Sequence, residues 1–440
     1  MIEKVKKIKG GVSVHHQKIT ENCETVKMDL PKKVLIPMLQ HIGAVCEPTV
    51  KKGDIVKVGQ KIGDSSAFIS SPVHSSVSGK VTNVKPVLYP GGFEVMSVEI
   101  ETDGLQEVHE SVNPPGDLSN AEAIKAIRES GIVGLGGAGF PTSVKLCPPP
   151  GKHLDTLVIN GAECEPYITS DYREMIENPD GIIEGTKIIM DLTGIKNAVV
   201  AIEKNKPEAI KIISKKVEKI PGITVKSLKT MYPQGAEKQL IYATTGRKVP
   251  SGKLPAEVAV LVQNINTASF IAEFIKTGMP LIKKKVTVDG SAVSQPKNVE
   301  VLIGTSLNDV FEFCGGFSED PYKVIMGGPM MGVTQFSLEN SVVKHTNALL
   351  AFNKQEAVLT EETACIRCAK CVNACPMGLM PLFINSCVVN GKIEESENYN
   401  PLDCIECGCC SYTCPANRHL VQSIRYAKAE ITKRRKQKKQ

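Results

Sequence analysis

Two cysteine runs constrain the C-terminal part of this chain more tightly than anything else in it. Cys365, Cys368, Cys371 and Cys375 precede Pro376, and Cys404, Cys407, Cys410 and Cys414 precede Pro415. Each run reads C-x2-C-x2-C-x3-C-P, the spacing that wraps a [4Fe–4S] cubane. Three thiolates come from one tight loop, while the fourth, beyond the x3-C-P turn, serves the other cluster. The expected ligand sets are therefore Cys365, Cys368 and Cys371 with Cys414, and Cys404, Cys407 and Cys410 with Cys375. Two zinc sites are the competing reading, but a duplicated three-plus-one spacing closed by proline is poor zinc grammar. Between the runs, GLMPLFINSCVV reads as an apolar helix and Asn390-Gly391 as a turn. A helical dicluster domain over residues 355–426 follows.

The whole chain has 440 residues, enough for roughly three to four domains. The cysteines outside the runs (Cys23, Cys46, Cys147, Cys164, Cys314, Cys387, Cys409) show no framework spacing, which points to a reducing compartment. Cys387 and Cys409 are read as buried thiols, not ligands. A net charge of +6 and the absence of Trp argue against nucleic acid as a partner. No signal peptide and no membrane-spanning apolar run is expected, so the chain is either soluble or held at a membrane through other proteins. The C-terminal KRRKQKKQ follows Leu420, Ile424, Ala427 and Ile431 at helical spacing. A basic helix end on anionic lipid or an acidic partner competes there with a solvated, frayed tail over 427–440.

The rest of the chain divides by pattern. Residues 1–27 are polar and irregular. Short β-branched strands with Gly turns over 28–112 resemble the barrel-sandwich fold of biotinyl and lipoyl carriers. Where a carrier presents its modified Lys, this chain has His74-Ser75-Ser76, so a structural or docking module is expected. The linker NPPGDLS closes it. Over 118–280, strands at 155–160, 197–203, 223–228 and 257–264 alternate with helical segments, predicting a Rossmann-like α/β domain with a mostly parallel sheet. Residues 281–350 return to strands with one helix and look like a β-grasp module of the SLBB kind. Its run Gly327-Gly328-Pro329-Met330-Met331-Gly332 reads as a turn.

The second chemical signal is Gly134-Leu135-Gly136-Gly137-Ala138-Gly139-Phe140-Pro141, with Lys145 beyond it. A helix precedes this loop, so the ordinary dinucleotide fingerprint does not apply. Residues without side chains still let backbone N–H groups approach a phosphate or a flat ring. A strand then ends in Asn160-Gly161-Ala162-Glu163-Cys164-Glu165-Pro166, and sites in α/β sheets lie outside the carboxyl ends of strands. Asn160 can bond a ring edge, and Glu163 and Glu165 can bind ribose hydroxyls or face a ring nitrogen. Two solvated glutamates are the plainer alternative.

GLGGAGFPTSVKL and NGAECEP, in this order, resemble the flavin and NADH loops of the 51-kDa flavoprotein of respiratory complex I. With the barrel-sandwich module, the β-grasp module and the twin cysteine runs, the chain resembles the RnfC family of Rnf electron-transport complexes over nearly its whole length. That resemblance implies two [4Fe–4S] clusters, non-covalent FMN and NAD(H) as substrate. It places FMN on Gly134, Gly136, Gly137 and Gly139, with Lys145 near its phosphate and Phe140 flanking the nucleotide. Asn160 and Glu163 lie beside the ring and Glu165 near the nicotinamide. Tyr232, Gly235 and Glu237 belong to a later nucleotide segment, and Gln263, Asn264 and Thr267 approach the phosphate. Ala162 and Ala236 depart from the complex I pattern, where acidic residues stand. No side chain is expected to act as acid, base or nucleophile. The implied role is the NAD(H) end of a membrane ferredoxin:NAD oxidoreductase coupled to Na+ or H+ transport, on the cytoplasmic face. Its partners are the other Rnf subunits and, indirectly, ferredoxin. A microcompartment cobalamin reductase of similar make-up and a non-catalytic electron relay are the rivals.

Overall fold

The computed structural model describes residues 5–90 and 92–437. Two small antiparallel sheets form the barrel-sandwich module. One is ordered Lys33–Pro37, Phe93–Thr102, Gly79–Tyr89, Ile55–Val56, and the other Glu47–Pro48, Lys61–Asp64, Val73–His74. Val34, Ile36, Val81, Val98 and Ile100 of the first sheet meet Ile62 and Val73 of the second in one core. Period-two alternation does this: Val34 and Ile36 are buried where Lys33 is exposed. His74 lies buried in this module, and burial holds it well below the ordinary histidine range.

The next domain opens with α1 (Asn120–Glu129), whose Ser119 and Glu122 form a reciprocal capping box. The glycine loop and the short helix α2 (Thr142–Leu146) follow. Four parallel strands, β1 (Thr156–Gly161), β2 (Asn197–Glu203), β3 (Ile223–Leu228) and β4 (Val260–Asn264), line up in the order β3-β2-β1-β4. They read as near-continuous apolar runs because helices cover both faces. These are α3 (Ser170–Glu177), α4 (Pro179–Thr193), α5 (Pro207–Val217), α6 (Glu237–Thr245) and α7 (Ile265–Thr277). The strand order reverses between β1 and β4, and Asn160 stands opposite Asn264 in that register. A crevice at such a reversal, outside the carboxyl strand ends, is where ligands of this architecture bind.

The β-grasp module is a six-stranded mixed sheet carrying the helix Leu307–Phe313. Its edge strand, Thr25–Lys27, comes from the N-terminal segment and pairs parallel with Lys297–Leu302. The N-terminal residues, irregular by pattern, therefore have fixed partners. Lys6 N donates to Ala243 O (2.9 Å), Gly11 N to Ala374 O (2.9 Å), and Val12 and Tyr232 exchange backbone bonds at 2.8 and 3.0 Å. The segment ties the α/β domain to the cysteine domain.

Among the described residues, no strand follows Phe352, and the cysteine domain is helical as expected. Its last helix, Leu420–Gln437, runs through the basic stretch. Leu420, Ile424, Ala427 and Ile431 are buried along one face, while Arg434 and Arg435 pair with Glu394 (2.9 Å) and Glu397 (2.7 Å). The expected frayed end is thus ordered helix to residue 437, because an apolar stripe and two ion pairs anchor it; residues 438–440 lie outside the described residues. Among the described residues no helix is long and apolar enough to cross a membrane.

Candidate functional site

The glycine loop closes on itself. Gly134 N donates to Phe140 O (2.8 Å) and Gly139 N to Gly134 O (3.2 Å), so residues 136–138 project outward. Gly137 and Gly139 take φ of +112° and +64°, which side chains disfavour. A β-carbon at Gly136 would stand 3.1 Å from Asn264 Nδ2. Leu135 N donates to Thr267 Oγ1 in the first turn of α7 (3.0 Å). The loop therefore meets the N-terminus of α7 at the sheet's reversal point, and backbone N–H groups converge there on whatever anion or ring lies in the crevice.

The strand-end residues gather beside it. Asn160 Nδ2 donates to Gly235 O (2.9 Å) and its Oδ1 accepts from Ala162 N (3.0 Å), so it holds the 232–237 segment in place. Lys145 Nζ donates to Glu237 Oε1 (2.8 Å) and Val262 O (3.3 Å). The two residues are each other's partner, and a phosphate approaching Lys145 competes with Glu237. Glu163 is 6 % exposed; its Oε1 accepts from Asp171 N (2.6 Å), and burial pushes it up to about 7. Glu165 Oε2 accepts from Met330 N (3.1 Å), and burial likewise pushes it up to about 7. The Gly327–Gly332 run is a turn, as its composition predicts, but one pressed onto Glu165: a β-carbon at Gly328 would sit 2.4 Å from Glu165 Cδ.

Among the described residues, buried polar atoms without a hydrogen-bond partner collect around this crevice. They include Thr142 Oγ1, Glu163 Oε2, Glu165 Oε1, Gln234 Nε2, Gln263 Nε2 and His345 Nδ1. Interiors seldom leave such groups unpaired. Orphaned donors and acceptors on the segments around the glycine loop fit a polar ligand.

The cysteines form two groups. Cys375, Cys404, Cys407 and Cys410 line one small cavity of about 20 Å³ beneath the last helix, bordered by Pro376, Leu379 and Ile424. Leu379 N donates to Cys375 Sγ (3.4 Å) and Glu406 N to Cys404 Sγ (3.3 Å), bonds that favour the thiolate forms. Of the other four, Cys371 and Cys414 face one another, while Cys365 and Cys368 are exposed at the surface. Cys409 borders the first cavity but points its thiol at Tyr232 O (3.9 Å). Tyr232, Cys407, Cys409 and Ala374 share one apolar cluster with Val14, and Cys164 and Met330 pack against it. The inner cysteine cavity therefore abuts the acidic loop of the α/β domain.

Comparison with known proteins matches each part of the chain. Residues 6–105 match the family described as the RnfC barrel sandwich hybrid domain, 127–273 the Nuo51 FMN-binding domain, 285–334 the SLBB domain, and 357–415 the 4Fe-4S dicluster domain. The C subunit of the Na(+)-translocating ferredoxin:NAD(+) oxidoreductase complex of Acetobacterium woodii is 47% identical over 97% of this chain and 98% of its own length. Its proton-translocating counterpart in Clostridium ljungdahlii is 46% identical over 97% of this chain and 94% of its own length. The C subunit of the ion-translocating oxidoreductase complex of Rhodobacter capsulatus is 39% identical over 98% and 85%. The chain belongs to the RnfC family. A NAD+-reducing [NiFe]-hydrogenase structure aligns over 70% of this chain and 62% of its own, with a TM-score of 0.49 and 17% identity. FMN and two [4Fe–4S] clusters are the cofactors of the matched domains.

Several residues that support the RnfC site carry no sequence motif. Asp171 accepts from Asn264 Nδ2 (2.7 Å) and Asn266 Nδ2 (2.6 Å), fixing both amides at the α7 N-terminus. From the β-grasp module, Lys284 Nζ donates to Leu135 O (3.2 Å), and its burial lowers it to about 8. His345 backs Gly139, where a β-carbon would come within 3.1 Å of its Nδ1. From the barrel-sandwich module, Ile42 N donates to Gly139 O (3.0 Å). Two neighbouring modules thus buttress a loop that has almost no side chains of its own.

Proposed function

We propose that this chain is the NAD(H)-binding component of a membrane ferredoxin:NAD oxidoreductase coupled to ion transport, and that it passes electrons between NAD(H) and its two clusters. The observation that carries this reading is the contiguity of the acidic loop, Tyr232 and the inner cysteine cavity. FMN, when bound, supplies the exchange between the electron pair of a hydride and single electrons that clusters accept. Gly134, Gly136, Gly137 and Gly139 would hold it, with Asn264 and Thr267 at the phosphate end and Asn160 and Glu163 at the ring end. Glu165, with Phe140, Tyr232, Gly235 and Glu237, would bind and orient the nicotinamide nucleotide. The pressed turn at Gly328–Met330 excludes water from Glu165. Cys375, Cys404, Cys407 and Cys410 form the inner cluster site, and Cys365, Cys368, Cys371 and Cys414 the outer one, whose exposure suits transfer to another protein of the complex. Attachment at the cytoplasmic face would come through those partners.

The relatives with the highest identities quoted above translocate different ions, at 47% and 46% identity, so the coupling ion is a property of the partner proteins in this reading. The test is anaerobic. The chain with clusters reconstituted and FMN added is titrated with NADH while visible absorption and EPR are recorded. Flavin bleaching followed by two reduced-cluster signals is expected. A flavin that stays oxidised with FMN bound would overturn the NAD(H) assignment and favour the relay.

A further inference from the structure

We propose that Lys18, carried into the interior by the N-terminal segment, is a positioning residue of the flavin–nucleotide site that holds the 163–168 loop in place and sets the charge on Glu163. The proposal rests on the reading of Glu163 and Glu165 given above.

Lys18 lies in a stretch whose sequence is polar and irregular, yet its side chain is only 6 % exposed. Its ammonium donates to Glu165 O (3.0 Å) and to Ile168 O, and stands 3.8 Å from Glu163 Oε2. Two of its donors thus find backbone acceptors on the acidic loop, and its charge faces Glu163 Oε2 at ion-pair distance. The neighbours on either side engage the same loop. Tyr167 N donates to His16 O (2.9 Å), and Thr20 Oγ1 bonds Thr169 Oγ1 (2.6 Å). Tyr167 takes φ of +68°, a conformation that persists only where surroundings enforce it. Residues 16, 18 and 20 supply that enforcement rung by rung.

The electrostatic part follows from what faces Glu163. Burial and the neighbouring Asp171 favour its protonated form, while Lys18, Lys206 and the Asp171 N–H favour the carboxylate. Burial and the neighbouring Lys206 pull Lys18 below the ordinary lysine range, while Glu163, Glu203 and Cys164 favour its charged form. Lys206 donates to Glu163 O (3.3 Å) and pairs with Glu203 (3.4 Å), so it is shared. Among the described residues Lys18 has no other carboxylate partner within ion-pair distance, and Oε2, the Glu163 oxygen without a hydrogen-bond partner, is the one it faces. An opposite charge at this range moves a carboxyl by about one to three pH units.

The test measures FMN binding to the full, cluster-loaded chain from pH 5 to 9 by quenching of flavin fluorescence, which needs no turnover. Wild type is compared with Lys18→Met, Lys18→Arg, Glu163→Gln and Thr20→Val. Lys18→Met should move the midpoint of the pH profile up by about one unit or more. Lys18→Arg should keep the wild-type midpoint, and Glu163→Gln should flatten the profile. Thr20→Val loosens the same strap without touching charge, so it should lower the melting temperature and leave the midpoint where it was. An unmoved midpoint in Lys18→Met overturns the proposal. If Lys18→Met does not fold, a Lys18→Arg midpoint displaced by a unit, or a Thr20→Val midpoint displaced likewise, overturns it. A wild type that binds no FMN, or a Glu163→Gln variant with the full pH dependence, strikes instead at the flavin-site reading.

Discussion

Replacing Glu165 by Gln should raise the protein's stability relative to wild type as the pH goes from acid to alkaline, while impairing nucleotide binding. Glu165 has one oxygen bonded to Met330 N (3.1 Å) and one with no partner among the described residues, and burial pushes it up to about 7 from an ordinary 4.5. Because its folded-state value is raised, the folded chain bears a cost that is absent below about pH 4.5 and complete above about pH 7. At about 1.4 kcal/mol per pH unit the cost approaches roughly 3 kcal/mol, or about 2–3 after allowance for its partial exposure. Gln carries no such cost, but it puts an amide N–H₂ where the unpartnered oxygen stands, at about 1–3 kcal/mol. The variant should therefore be less stable than wild type at pH 5 and equal or more stable at pH 8, a relative swing of about 2 kcal/mol. The assay is thermal unfolding of the FMN-free chain at both pH values, each variant against wild type. FMN stoichiometry should be unchanged, and the KM for NADH with an artificial acceptor should rise. A melting-temperature difference that is the same at pH 5 and pH 8 would refute the buried-charge reasoning, and normal NADH kinetics would remove Glu165 from the nucleotide site.

Asp171→Asn should weaken FMN about tenfold or more, since charge-assisted bonds to Asn264 and Asn266 are worth about 1.5–3 kcal/mol each. Riboflavin affinity should hardly change, and equal losses for both flavins would show that Asp171 does not act through the phosphate end. Cys375→Ala should abolish the EPR signal of the cluster held by Cys404, Cys407 and Cys410, and Cys414→Ala that of the other; the reverse assignment would refute the crossed ligand sets. Gly185→Ala places a β-carbon 1.7 Å from Ala268 O, where α4 crosses α7. Forcing the helices apart should cost several kcal/mol, of the order of the largest overpacking effects, and native-like melting would contradict the packing.

The parts legible in the sequence are those built from local repetition. Short β-branched runs alternating with helical segments disclose the parallel strands. The cysteine spacing discloses the helical dicluster domain, and the glycine loop its crevice. The contribution of residues 5–27 is illegible because it consists of backbone bonds and a few scattered side chains (Val14, Lys18, Thr20), which leave no periodicity. The helical spacing of Leu420, Ile424 and Ala427 is visible, but the pairing of Arg434 and Arg435 with Glu394 and Glu397 is not, since those partners are distant in sequence.

The same distinction explains why the modules occur on one chain. A loop of glycines approaches a cofactor closely but cannot hold its own shape, because glycine loses the most freedom on ordering. Its shape here is imposed from outside, by Ile42 of the barrel-sandwich module and by Lys284 and His345 of the β-grasp module. The acidic loop is imposed on in the same way, by Met330 on one side and Lys18 on the other. The α/β domain thus supplies the sheet reversal and the helix N-terminus, while its neighbours supply the rigidity. Residues 118–280 expressed alone would keep the motif and lose the walls that make it a site.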